Sequence, residues 1–103
     1  MNDIIVNAIR SIIEDIIPEG KIFDSHFVID QLIKKHSDEY LIFASSIDAS
    51  QNKTRLMNGK IAQKIEKQDN LVEKVGDTGD FWSVNMKGNA TECSGWKKRI
   101  KED

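Results

Sequence analysis

Cysteine and proline occur once each in the 103 residues, as Cys93 and Pro18, and aromatic residues make up only 7%. One cysteine cannot close a disulfide within the chain, so a disulfide scaffold is excluded and a reducing compartment is expected. No apolar run reaches the roughly 18 residues that a membrane helix needs, because Asn7, Arg10, Glu14 and Asp15 interrupt the longest aliphatic stretch. The start also lacks the basic segment and cleavage pattern of a secretory leader, so a soluble, cytoplasmic protein without membrane contact is expected. Catalytic groups are equally sparse. His26, His36 and Cys93 have no spacing that resembles a zinc site, and no nucleophile and base stand in a recognisable pattern. Gly76 to Gly79 lacks the lysine and following helix of a phosphate loop. These absences point away from an enzyme, a cofactor and a metal.

The length suits one small domain with an economical core. The net charge of −2 conceals an asymmetry. Residues 1–50 carry four bases against nine acids, a net −5, while residues 51–103 carry eleven bases against eight acids, a net +3. A binder of nucleic acid needs a local basic patch rather than a basic total, so this distribution is compatible with one.

Periodicity divides the chain. Ile4, Ala8, Ile12 and Ile16, with Ile5, Ile9, Ile13 and Ile17 beside them, form a broad apolar stripe at helical spacing. The first helix is predicted over 2–17, stopped by Pro18. Lys21 to Phe23 reads as a short extended piece, and Asp24 or Ser25 then caps a second helix over about 24–35. Ser37, followed by Asp38 and Glu39, starts a short third helix over about 37–46. After a turn-rich stretch, Ser50 caps a fourth helix over about 51–67, with Met57, Ile61 and Ile65 as its inward face. The period then changes from helix to strand. Residues 71–75 and 81–86 alternate in part and flank Gly76 to Asp80, which predicts a β-hairpin with a solvated tip. Phe81 or Trp82 is expected to pack on the helices. The tail from Ala90 reads as either a short helix or an irregular arm, basic from about residue 97.

Helices that lead through a longer basic helix into a terminal hairpin resemble the winged helix-turn-helix superfamily. The resemblance lies in element order over residues 20–87 and in no sequence motif. It implies a small α+β winged-helix-like domain, four helices followed by a C-terminal β-hairpin. It also implies a helix-turn-helix over Tyr40 to Lys67, a recognition helix from Asn52 to Lys67 for the DNA major groove, and a wing tip at Gly76 to Asp80. That tip carries Asp77 and Asp80 and no base.

The fourth helix holds the sharpest candidate site. Lys53, Lys60, Lys64 and Lys67 fall within roughly 60° of one another around the axis, as a set of phosphate-neutralising cations would require. Asn52, Arg55, Asn58 and Gln63 are residue types that read base edges. Lys97, Lys98 and Arg99 form a second basic cluster, suited to phosphate contact or to a flexible arm. Trp82 and Trp96 could stack on bases but suit packing better in a domain with so few aromatics. The expected function is therefore a small DNA-binding or transcription-regulating protein, with double-stranded DNA as partner. The rival is a protein-interaction module on the same fold. The width of the isoleucine stripe also suggests a homodimer through helix 2–17.

Overall fold

A computed structural model describes residues 2–48 and 52–101, with the side chains of residues 2, 3 and 77–80 undescribed. Among the described residues, four helices and a three-stranded antiparallel sheet make up an α+β domain. Their order is α1 (Asn2–Asp15), β1 (Ile22–Asp24), α2 (Ser25–Lys35), α3 (Ser37–Ser45), α4 (Lys53–Glu66), β2 (Val72–Val84) and β3 (Ala90–Lys98). The strand order is β1-β3-β2, so the last strand in sequence is the central one.

Isoleucine favours a helix only weakly, and α1 exists because its apolar stripe is buried. Ile5, Ala8, Ile9, Ile12, Ile13 and Ile17 all lie in the core, where α1 meets α2, α3 and α4. The width that suggested a dimer is thus used within the chain, and of the stripe's isoleucines only Ile4 is exposed. Pro18 ends the run as expected, although the helix stops at Asp15 rather than at 17. Carbonyls at its end and just beyond it are satisfied from a distance. Lys98, only 8% exposed, donates from Nζ to the Glu14 carbonyl at 2.9 Å and the Ile17 carbonyl at 2.7 Å. A cation there also opposes the negative end of the helix dipole.

Asp24 caps α2 as read from the sequence, accepting from the Phe27 backbone N–H at 2.8 Å. At α3 the cap position belongs to His36 rather than Ser37, without a side-chain cap bond. Asp38 and Glu39 occupy the first turn of α3, where acids are favoured. Helix α4 begins at Lys53, after Asn52 in a left-handed conformation at φ 54°. The Ser50 cap falls outside the described residues.

The predicted hairpin is corrected in position. Residues 71–75 do not pair with 81–86; 72–75 and 81–84 both belong to β2, which runs antiparallel to β3 from Val72 opposite Lys98 to Val84 opposite Ala90. The expected tip lies inside this strand. Gly76 faces Gly95 and Phe81 faces Cys93, so β2 takes five steps where β3 takes two. Such a bulge is tolerated because β2 is an edge strand. Its glycine has a packing reason: a Cβ at Gly76 or Gly95 would collide with the Phe81 ring, which lies across both. Phe81 therefore packs on its own sheet. The real turn joins Val84 to Ala90, where Asn85 Oδ1 accepts from the backbone N–H groups of Lys87 (2.9 Å) and Asn89 (3.0 Å). Gly88 supplies the left-handed conformation, at φ 83°.

From Ala90 to Lys98 the tail is neither helix nor arm but strand β3. Trp96 is 1% exposed and sits in the core, 5.9 Å from Phe23 between ring centroids and opposite it in the register. Trp82 goes the other way, at 71% exposed.

The roles of neighbouring lysines separate cleanly. Lys98→Met keeps the stem but leaves two helix-end carbonyls without their donor, which should cost about 1–3 kcal/mol. Lys97→Met, on the half-buried neighbouring position, should change stability by no more than about 0.5 kcal/mol. Urea unfolding of both variants checks the difference.

Candidate functional site

A cleft of about 750 Å³ opens between the start of α2, the first half of α4 and the β2–β3 pair. Helix α4 contributes Thr54, Arg55, Asn58 and Gly59, preceded by Asn52, and the turn contributes Asn85, Met86 and Lys87. Cys93, with its neighbours Thr91, Glu92 and Ser94, lines the β3 side. A small polar network fixes the turn over the helix. Asn58 Nδ2 lies 3.5 Å from Met86 Sδ, and the Tyr40 hydroxyl reaches Asn58 Oδ1 at 3.4 Å and the same sulfur at 3.5 Å. Burial pushes the Tyr40 phenol above its ordinary pKa, so it remains a neutral donor.

Helix α4 is amphipathic as the sequence predicts, with Met57, Ile61 and Ile65 buried. Of the candidate residues on it, Asn52, Arg55, Lys60, Gln63 and Lys67 are exposed, whereas Lys53 and Lys64 are half-buried. Lys64 is already engaged, its Nζ lying 5.6 Å from the centroid of the Phe43 ring. Among the described residues no ion pair holds Arg55, Lys60 or Lys67. A shallow depression lies along the outer ridge, formed by Asn52, Arg55, Leu56, Gly59, Lys60 and Gln63.

The second basic cluster is dispersed. Lys98 is the buried clamp on α1, which removes it from any external phosphate contact. The Arg99 side chain donates from Nε to the Asp69 carbonyl at 2.7 Å, and Lys97 stands opposite Glu73 and Ile22 in the sheet. These three residues serve the sheet and its edges rather than a mobile basic arm. Two residues near the cleft were not singled out as a binding surface: Lys87, at the true turn, and Asn85, which shapes it. The signal for them is the Lys87-Gly88-Asn89 run between two partly alternating segments.

Within the same region, the fold gathers groups that are far apart in sequence. His26 lies between two hydroxyls, with Nδ1 2.6 Å from Ser83 Oγ and Nε2 3.2 Å from Thr91 Oγ1. Ser83 Oγ is in turn 3.8 Å from Cys93 Sγ. Asp24, His26 and Cys93 each bring one ligand atom to within 4.8 Å of the others. Burial pushes the Cys93 thiol up from its ordinary value; the Ser83 hydrogen bond opposes this, and the Asp24 carboxylate adds to it. By itself the sulfur is therefore a thiol at neutral pH and a poor nucleophile. Linear spacing holds no trace of this cluster, because it depends on the β1–β3 register that sets Asp24 opposite Gly95.

No family model, curated protein or solved structure matches the chain. Among the described residues, no helix is long and apolar enough to cross a membrane.

Gly59 offers a direct stability test. A Cβ built there meets nothing within 4 Å, so packing within the chain does not require the glycine. Gly59→Ala should stabilise the protein by about 0.5–1 kcal/mol through helix propensity alone. A rise in the urea midpoint with an unchanged slope is the expected result.

Proposed function

We propose that this is a winged-helix-like domain that binds duplex DNA, with α4 as the recognition helix and the turn at 85–89 as the wing tip. The topology supports the reading: a helix, a short strand, further helices and two long strands, the short strand pairing with the last to give the order β1-β3-β2. The relocated turn also removes an electrostatic obstacle. Asp77 and Asp80 belong to β2, and the turn Asn85-Met86-Lys87-Gly88-Asn89 contains one base and no acid.

The observation that carries the proposal is the outer ridge of α4. Arg55, Lys60 and Gln63 stand exposed around Gly59, a helix-interior glycine for which the fold has no packing use. A residue that costs helix stability without helping the core is suited to close approach by something outside. Cations and an amide beside it match the phosphates and base edges of a DNA groove. Lys87 extends the basic surface across the cleft. Transcription regulation would be the biological use of such binding.

Fluorescence anisotropy with a labelled duplex at several salt concentrations tests this. The unmodified protein should bind at low salt with a linear fall of log affinity against log salt. Arg55→Glu and Lys60→Glu should each weaken binding by about 1 kcal/mol or more and make that slope shallower, with the circular dichroism unchanged. Absence of affinity for duplex DNA at low salt would overturn the proposal and leave the protein-interaction module as the reading. The half-exposed Leu56 on the same ridge would then be its first contact to test.

A further inference from the structure

We infer that Asp24, His26 and Cys93 form a binding site for a divalent transition-metal ion of the Zn²⁺ class, with water from the cleft as fourth ligand. The inference is independent of DNA binding. It rests on three donors of the right kinds brought together by three parts of the fold. Asp24 ends β1 and caps α2, His26 lies in the first turn of α2, and Cys93 is on the central strand. Their ligand atoms are all within 4.8 Å of one another. Four-coordinate zinc, with metal–donor distances of about 2.0–2.3 Å, holds its donors about 3.3–3.8 Å apart. Side-chain rotation of about an ångström closes that difference. Thiolate, imidazole and carboxylate together favour a borderline-soft ion over calcium or magnesium, which take oxygen donors.

The surroundings fit as well. A ligating imidazole is normally held through its other ring nitrogen, and His26 has a partner for each: Ser83 at Nδ1 and Thr91 at Nε2. Ser83 Oγ contacts both Nδ1 and Cys93 Sγ, so Nδ1 is assigned as the ligating nitrogen, its contact with Ser83 giving way to the ion. Coordination through Nδ1 leaves Nε2–H to donate to Thr91 Oγ1. Asp24 needs only Oδ1 for its cap on Phe27, so the carboxylate has a second oxygen for an ion. A dication favours the thiolate over the thiol, and the thiol proton leaves to solvent as the metal–sulfur bond forms. His26 and Cys93 both line the cleft, giving an ion and its water a route in.

Titration of the reduced protein with Co²⁺, followed by displacement with Zn²⁺, tests the site. The expected result is one bound cobalt per chain, with a thiolate-to-cobalt charge-transfer band and the visible absorption of a tetrahedral ion, both lost when zinc is added. Cys93→Ser should abolish the charge-transfer band. Asp24→Asn keeps an oxygen for the helix cap, and Thr91→Val lies on an exposed position. These variants should fold whether or not Cys93→Ser does, and each should weaken cobalt by about tenfold or more. If the reduced protein shows no thiolate band at stoichiometric cobalt, the site is overturned. An unchanged cobalt affinity in both Asp24→Asn and Thr91→Val overturns it equally.

Discussion

On β3, alternate residues Trp96 and Lys98 reach the helical layer, and most of the architecture follows from that pair. Trp96 fills the core against Phe23, while Lys98 carries its ammonium group to the end of α1. A buried lysine is costly unless its charge finds hydrogen-bond acceptors, and a helix end is costly unless its carbonyls find donors. Each group answers the other's need. The bonds span more than eighty residues, so the first helix is tied to the last strand. Because β3 is also the central strand, it positions β1 on one side and β2 on the other. Among the described residues Trp96 Nε1 has no hydrogen-bond partner, an expense of the same order that its packing must exceed.

The site inherits its geometry from this arrangement. With β3 central, the β2–β3 turn projects over α4, and the contacts of Tyr40, Asn58 and Met86 hold it there. The same strand carries Cys93 towards Asp24 and His26, so the cleft and the ligand cluster share one wall. The Phe81 ring over Gly76 and Gly95 keeps β2 against β3 where its register slips. A bulge of that size on an edge strand would otherwise loosen the pairing.

All four helices were legible in the sequence because each carries its own evidence: an apolar period, a breaker at Pro18 and a capping residue at Asp24. The buried face of α4 was legible for the same reason. The strands were legible in existence but not in register. Gly76-Asp77-Thr78-Gly79-Asp80 has the composition of a turn, and only the need to seat Phe81 over Gly76 and Gly95 shows why it lies in a strand. The true turn was overshadowed, although Asn85 and Gly88 carry the chemistry it requires. Strand β3 was hidden by its charges. Lys97, Lys98 and Arg99 look like a solvated terminus, since sequence cannot reveal that one lysine is buried on distant carbonyls. For a similar reason Trp82 and Trp96 looked equivalent, yet they lie on opposite sides of the burial boundary. The Asp24, His26 and Cys93 cluster was illegible altogether, being a product of strand order.

Charge accounting on the folded chain sharpens what the two halves of the sequence suggested. Much of the positive excess in residues 51–103 is used internally: Lys98 on α1, Arg99 on the Asp69 carbonyl, Lys64 over Phe43 and Lys74 paired with Glu66. The cations left without an ion pair among the described residues include Arg55, Lys60 and Lys67 on α4, and Lys87 on the turn. Lys21, Lys35, Lys53, Lys97 and Lys101 have none either, but these four stand exposed on the two elements proposed to meet DNA. If these cations alone meet phosphates, log affinity should fall against log salt with a slope of about −3 to −4, since each neutralised phosphate contributes about −0.9. So few contacts would make a single domain a weak, salt-sensitive binder. Tight binding would need base contacts from residues such as Gln63, or a second domain beside the first, because the charges alone cannot supply it.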